Sequence, residues 1–143
     1  MLGTLAKWLR IIGFDTYFAD SQIDDKELLK IAKKQDRIII TRDKELIQRC
    51  KKQKINFIQM LTTDLDEQIK QTLKNIEIDE KLFLTRCLLC NSKVSKIDKE
   101  KILNKIPENL RENNDDFWYC KKCDKVYWMG THTEDMLKKI KSF

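Results

Sequence analysis

Glycine, proline and histidine are scarce in this sequence of 143 residues, which has three, one and one of them respectively. The glycines, at positions 3, 13 and 130, are too far apart to form a glycine-rich phosphate-binding loop of either common type. Long apolar runs are also missing: none approaches the roughly 20 residues that span a bilayer, and no charged-then-apolar leader begins the chain. We therefore expect a soluble, cytoplasmic protein without a membrane partner, large enough for one domain and a small appendage.

The cysteines, by contrast, have the spacing of metal ligands. Two Cys-x-x-Cys pairs, Cys87 with Cys90 and Cys120 with Cys123, are separated by 29 residues. Each pair places two thiolates on one tight turn, so that four sulfurs can converge on one metal ion. Four thiolates at about 2.3 Å fill a tetrahedral zinc site and leave no position for a substrate. The pattern predicts a structural zinc ion that holds a fold and performs no catalysis.

The alternative for a single Cys-x-x-Cys pair is a redox pair or a coincidence. Two pairs in one short chain, followed by the turn formers Asn91 and Asp124, favour zinc. The fifth cysteine, Cys50, ends an apolar-periodic stretch, and we interpret it as a small buried side chain rather than a nucleophile.

Positive charge is concentrated in one segment. Residues 30–54 contain ten basic and three acidic side chains, an excess of seven, whereas the whole chain has a net charge of +6. A basic patch of this density attracts phosphate backbones. A set of lysine-rich, solvated helix faces is the alternative, and charge alone does not decide between them.

The apolar pattern predicts strands that alternate with helices before residue 80, and a smaller cysteine-containing region after it. Gly13 stands where the left-handed residue after the first helix belongs, and Thr63 resembles a helix N-cap. Such alternation indicates an α/β fold with a parallel sheet. The predicted helices cover residues 2–12, 24–32, 63–76, 98–106 and 134–141, with one more helix that contains Leu46 and Ile47. The predicted strands cover residues 14–18, 37–41, 55–60, 117–119 and 126–128.

Aspartates follow the predicted strands at the positions where ligands bind in an open parallel sheet. Asp43 comes two residues after a strand that we expect to be buried on both faces, and Asp64 follows the next strand. Asp25 begins a helix that can reach the same edge. Carboxylates gathered in this way select Mg²⁺ or Mn²⁺, which can support phosphoryl displacement. Helix capping is the alternative for Asp64 and for the Asp24/Asp25 pair, while the basic patch, expected beside Asp43, favours a nuclease.

Several segments occur together in a characteristic order. They are Met1-Leu2-Gly3, Trp8-Leu9-Arg10, Glu27-Leu28-Leu29, Thr41-Arg42-Asp43, Arg86-Cys87, Cys90-Asn91 and Val126-Tyr127-Trp128 with Gly130 and His132. With both cysteine pairs, they resemble the Mut7-C ribonuclease family, a PIN-like domain with a C-terminal zinc ribbon, over nearly the whole chain. The resemblance implies a PIN-like parallel sheet flanked by helices in residues 1–84 and a small four-cysteine zinc ribbon in residues 85–143.

The resemblance implies an endoribonuclease that uses Mg²⁺ or Mn²⁺ and acts on RNA, including structured or ribosomal RNA. The catalytic and metal-binding acids implied are Asp25, Asp43 and Asp64, and zinc would lie on the four cysteines. Exposed cations would hold the RNA phosphates. For this role we expect Lys7, Arg10, Arg42, Lys44, Lys121 and Lys122.

The sequence departs from the family at its first residue. Family members normally have a short strand ending in an aspartate immediately before the Met-Leu-Gly, and this sequence begins at Met1. Either the start lies upstream, or the protein lacks one acid of the metal centre. The second explanation favours a different function, a non-catalytic RNA- or ribosome-binding adaptor with a degenerate PIN-like site. His132 is open to two interpretations, an RNA-site residue or a structural residue that caps a helix.

Overall fold

The computed structural model describes residues 2–143 and divides them into two compact units. The first unit comprises residues 2–6 with Tyr17–Ile78, and the second comprises Lys7–Thr16 with Asp79–Phe143. The helices are α1 (Leu2–Ile12), α2 (Asp25–Gln35), α3 (Lys44–Gln53), α4 (Leu65–Leu73), α5 (Glu108–Asn113) and α6 (Thr131–Lys141), and the strands are β1 (Ile39–Thr41), β2 (Phe57–Gln59), β3 (Ser95–Ile97), β4 (Phe117–Cys120) and β5 (Lys125–Trp128).

The predicted fold class is confirmed. A small parallel sheet lies among helices, and a C-terminal antiparallel sheet carries the four cysteines. The division at residue 84, between two sequence-defined domains, stays a prediction. Within residues 2–143, no helix is both long enough and apolar enough to cross a bilayer.

In the first unit, β1 and β2 pair in parallel, with Ile39 opposite Phe57 and Thr41 opposite Gln59. Helix α3 connects them, as a parallel pair requires a crossover. Residues from α2, α3 and the starts of both strands form one buried cluster, which comprises Leu29, Ala32, Ile39, Leu46, Cys50 and Ile55. Cys50 is fully buried, as the sequence predicted.

Three local predictions for the first 78 residues are wrong. Strand β1 is not buried on both faces, because Ile40 is half-buried and the preceding Ile38 is 45% exposed. The N-cap of α4 is Asp64 and not Thr63, since the Asp64 carboxylate accepts the backbone N–H of Glu67.

Residues 14–18 also form no strand. Both backbone groups of Thr16 are bound to side chains: its N–H donates to Asn91 Oδ1 at 2.9 Å, and its carbonyl accepts from Arg10 Nε at 3.0 Å. These groups are therefore not available for a sheet ladder.

In the second unit, β3, β4 and β5 form an antiparallel sheet in that order, which confirms the two predicted strands on either side of the second cysteine pair. Its core contains Ile102, Ile106, Phe117 and Val126. The helix predicted over residues 98–106 is instead a 3₁₀ segment, Lys99–Lys105, with a kink at Ile102 that turns this side chain into the core.

Helix α1 ends as predicted at Gly13. The Gly13 N–H donates to the Arg10 carbonyl and the Phe14 N–H donates to the Leu9 carbonyl, each at 3.0 Å, which is a Schellman motif. Gly13 has a φ of +106°, and a Cβ atom there would lie 2.2 Å from the carbonyl oxygen of Leu82. Only glycine fits this position.

Candidate metal centre and acidic sheet edge

The two cysteine pairs converge in the second unit. The sulfurs of Cys87, Cys90, Cys120 and Cys123 all lie within 4.8 Å of one another, and Cys90 Sγ lies 3.6 Å from Cys120 Sγ. A tetrahedral ion with Zn–S bonds of about 2.3 Å needs sulfurs about 3.8 Å apart. The cluster can therefore bind a metal ion such as zinc.

A left-handed residue follows each pair, as the turn-forming side chains at these positions predicted. Asn91 has a φ of 70° and Asp124 a φ of 52°. Their side chains tie the turns to other segments: Asn91 binds the backbone of Thr16, and the Asp124 carboxylate accepts hydrogen bonds from Tyr119 and Lys105. These contacts hold each turn in the shape that converges the sulfurs.

Tyr127, on β5, supports the centre from outside the set of four ligands. The Leu88 N–H donates to Tyr127 Oη at 3.1 Å, and Tyr127 Oη lies 3.0 Å from Cys87 Sγ. When Cys87 is a thiolate, as a metal ligand must be, the Tyr127 hydroxyl is the only group of this pair that can donate. Such outer contacts orient metal ligands and tune their basicity. This role of Tyr127 was not predicted, since a tyrosine on a ribbon strand has no local signal that distinguishes this contact from core packing.

The four thiols differ in their affinity for protons. Burial raises the pKa of Cys90, but hydrogen bonds from the hydroxyl and N–H of Ser92 outweigh it and lower the pKa to about 6. Burial likewise raises the pKa of Cys87, and the Tyr127 hydroxyl with backbone N–H groups produces a net lowering. Hydrogen bonding to Cys90, followed by burial, raises the pKa of Cys123 to about 12. Four adjacent thiolates repel one another, and a bound dication removes the remaining protons by offsetting that repulsion.

Arg10 also belongs to this region. Its side chain is 8% exposed, and its guanidinium donates to the carbonyls of Thr16 at 3.0 Å and Leu88 at 2.7 Å. The side chain thereby joins the turn after α1 to the first cysteine pair. Its predicted role in phosphate binding stays a prediction, and the structure adds this structural role.

Two of the acidic residues lie in the first unit at the edge where β1 and β2 end. Asp43 follows β1 by two residues and Asp64 follows β2 by five, and the strands are parallel, so both positions lie beyond the same carboxyl edge. Helix α2 leads into β1 through residues 36–38, so its last turn lies near the start of β1, and Asp25 is the first residue of this helix.

Two of these carboxylates already cap helices. Asp43 Oδ1 accepts the N–H groups of Glu45 at 2.9 Å and Leu46 at 3.4 Å, and Asp64 Oδ1 accepts that of Glu67 at 3.0 Å. Each cap uses one oxygen, Oδ1, and does not use Oδ2. Asp25 is half-buried in the first turn of α2, where the preceding Asp24 is the N-cap.

Comparison with protein families decides the identity of the chain. The model of the Mut7-C RNAse domain matches residues 1–140. The chain belongs to the Mut7-C family. No curated protein and no solved structure matches it significantly. Membership of the Mut7-C RNase domain family indicates a nuclease whose substrate is RNA, and it confirms the resemblance seen in the sequence.

In the Mut7-C chain, the predicted zinc ligands lie close together, whereas the three predicted catalytic aspartates do not. Among residues 2–143, the four cysteines are the one group of three or more histidine, cysteine or acidic side chains close enough to share an ion. Asp43 and Asp64 follow adjacent parallel strands, and together with Asp25 they do not form such a group. Their metal-binding and catalytic roles stay predictions.

The predicted phosphate contacts other than Arg10 are all exposed. Arg42 and Lys44 flank Asp43 directly, while most cations of residues 30–54 lie toward the opposite ends of α2 and α3. The expectation that the whole basic patch lies beside Asp43 is therefore wrong, because helix length separates the two. The remaining predicted contacts are Lys7, Lys121 and Lys122.

His132 is exposed in the first turn of α6. The N-cap of this helix is Gly130, and no side chain makes a capping hydrogen bond there.

Proposed function

We propose that this protein is an endoribonuclease of the PIN-like class that hydrolyses RNA phosphodiester bonds at the acidic edge of the first unit and requires Mg²⁺ or Mn²⁺. The observation that carries the proposal is the match to the Mut7-C RNase domain over residues 1–140. The positions of Asp43 and Asp64, just after the carboxyl ends of two parallel strands, support it, because ligands of open α/β sheets bind there.

In this proposal Asp43 and Asp25 hold the divalent ion, and Asp64 completes or orients its shell. Carboxylate oxygens are the donors that Mg²⁺ and Mn²⁺ prefer. The ion supplies charge neutralisation at the phosphate and lowers the pKa of the attacking water. Arg42 and Lys44 are exposed beside Asp43 and bind the phosphates on either side of the cleaved bond.

In the four-cysteine centre we propose zinc in a structural role. The sulfur spacing fits a tetrahedral thiolate site, and two of the four sulfurs, on Cys87 and Cys120, are at most 1% exposed. A closed site of this kind has no position for RNA or water. The ribbon thus supplies stability, and the acidic edge supplies the chemistry.

The test is the Asp43→Asn variant, assayed as zinc-replete protein on a fluorescent RNA with and without added Mg²⁺ or Mn²⁺. Asparagine caps a helix about as well as aspartate, so the fold is retained while the charge is lost. Losing several kcal/mol of charge stabilisation slows cleavage by at least about a hundredfold. RNA binding should be unchanged or stronger, because a negative charge beside the phosphate is removed.

The matched control is Asp79→Asn. Asp79 is an exposed N-cap in the second unit, where its carboxylate accepts the Lys81 N–H. This variant should cleave RNA at the wild-type rate. Wild-type cleavage by Asp43→Asn would overturn the assignment of the site.

A second candidate function is a non-catalytic adaptor that binds RNA or a ribosomal particle. It is favoured by the observation that, within the described residues, the three aspartates do not form an ion-sharing group. An adaptor binds RNA with equal affinity in the presence and absence of divalent ions and cleaves none. The zinc-replete wild-type protein, incubated with the same RNA and Mn²⁺, distinguishes the two functions.

A further inference from the structure

The two ends of helices α2 and α3 differ in charge. The last turns contain only basic charged side chains, Lys33, Lys34, Lys51 and Lys52. The first turns are mixed, since α2 begins with Asp25, Lys26 and Glu27 and α3 with Lys44 and Glu45.

The two lysine-bearing ends are neighbours. Helix α2 passes into β1 through residues 36–38, and α3 passes into β2 through residues 54–56. The strands are paired at their starts, where the Ile39 N–H donates to the Asn56 carbonyl at 2.9 Å. Adjacent strands are about 4.8 Å apart. Two equivalent helix-to-strand turns thus lie side by side at the amino edge of the sheet.

Five lysines at these turns form what we call the basic cluster. All five are exposed, and none forms a salt bridge with an acidic side chain in the part of the chain that the structure describes. The nearest acid in sequence, Asp36, is the C-cap of α2. The basic cluster comprises Lys33, Lys34, Lys51, Lys52 and Lys54.

The helix dipole accounts for part of this pattern. A cation in the last turn stabilises a helix, and Lys54 continues the C-terminus of α3 as its C-cap. The dipole of one helix is satisfied by a single cation near its end, however, and five uncompensated cations on two adjacent ends repel one another. A polyanion that spans both turns offsets that repulsion.

We propose that the basic cluster is a second RNA-binding site, which anchors the phosphate backbone at the amino edge of the sheet, away from the acidic edge. The choice of RNA as the ligand rests on the proposed function. Helix α3 has 10 residues, so the two edges are about 15 Å apart. At about 3.4 Å per stacked nucleotide, a strand needs about five nucleotides to occupy both.

The test is the variant K33Q/K34Q/K51Q/K52Q, made in the Asp43→Asn background and assayed as zinc-replete protein without Mg²⁺ or Mn²⁺. Binding to a single-stranded RNA of about 20 nucleotides is measured by fluorescence anisotropy over a series of salt concentrations. Each phosphate contact contributes about 0.7 to the slope of log K against log salt, so loss of two or more contacts lowers that slope by at least about 1.4. Because no cleavage is needed, failure of the nuclease proposal does not affect this measurement.

The matched control, K81Q/K93Q/K101Q/K138Q, removes the same number of charges from exposed lysines of the second unit. It should keep nearly the wild-type slope, which separates a local site from the effect of net charge. Equal slopes for the two variants would overturn the proposal. Binding of wild-type protein to anionic vesicles through these same lysines, with RNA binding unchanged in the cluster variant, would also overturn it.

RNA length gives an independent readout in the wild-type Asp43 background. A trinucleotide is too short to reach both edges, so the cluster variant should cleave it as the wild type does. A 20-nucleotide RNA should show a raised KM with kcat retained. An equal change in KM for both substrates would contradict an anchoring role.

Discussion

The four-cysteine centre and the acidic edge differ in how their side chains are held. Two of the four sulfurs are fully buried, and the turns that present all four are tied to distant segments by Asn91, Asp124 and Tyr127. The acidic side chains are exposed or half-buried, and Asp43 and Asp64 are held only by their own helices. The first site is assembled by tertiary contacts, whereas the second consists of helix caps aligned by strand direction.

This difference predicts that metal removal acts unequally on the two units. Structural zinc contributes on the order of 10 kcal/mol to the folding of small zinc domains. Treatment with a strong chelator should abolish amide protection in β4 and β5, measured by hydrogen exchange. Protection in β1 and α3 should change much less. An equal loss of amide protection in both units would show that they unfold cooperatively. It would contradict the difference between the two sites described above.

The Gly13→Ala variant should have the next largest effect. A methyl group at a φ of +106° and 2.2 Å from the Leu82 carbonyl oxygen forces the backbone to move. We expect a loss of about 3 kcal/mol of unfolding free energy, which corresponds to a Tm lower by roughly 10 °C. Gly3→Ala is the control, because its Cβ would meet only Phe18 at 3.4 Å. That variant should be as stable as the wild type or slightly more stable.

The Tyr127→Phe variant sharpens the comparison at the metal centre itself. The substitution removes the tyrosine hydroxyl that contacts Cys87 Sγ, and it leaves the Leu88 N–H without its acceptor. Zinc affinity, measured by competition with a chromophoric chelator, should fall by roughly 10- to 100-fold. Tyr17→Phe changes an exposed tyrosine, 43% accessible, and serves as the control. Unchanged zinc affinity in Tyr127→Phe would remove this residue from the account of the centre.

The smallest expected effect is on the stability of the acidic edge. Asp64→Ala removes the α4 cap and should cost about 1 kcal/mol, whereas Asp64→Asn should cost little. Chemical denaturation followed by circular dichroism measures both. If the carboxylate serves only as a cap, RNA cleavage should survive in the asparagine variant. If it also contributes to the catalytic site, cleavage should fall equally in both variants.

The sequence predicts best what depends on neighbouring residues. The Gly13 helix end, the left-handed Asn91 and Asp124, and the capping at Asp24 follow from local conformational preferences, and the structure has them. The two cysteine pairs were sufficient to predict a metal-binding cluster, because their spacing encodes its geometry.

Contacts between distant segments were missed for a physical reason. The stretch 14–18 has strand-forming residues, yet the hydrogen bonds of Thr16 go to Asn91 and Arg10, and no local pattern encodes such a partner. The same holds for Tyr127 and Cys87, which are 40 positions apart. The distance between the lysines and Asp43 depends on helix length and direction, which become definite only with the fold.

The most direct test of the central claim is a Mn²⁺ titration of zinc-replete protein, followed by electron paramagnetic resonance. The account predicts one saturable Mn²⁺ site in the wild type, lost in Asp43→Asn and retained in Asp79→Asn, with the zinc content of all three equal. No saturable Mn²⁺ binding in the wild type, or identical binding in Asp43→Asn, would contradict a catalytic ion at the acidic edge.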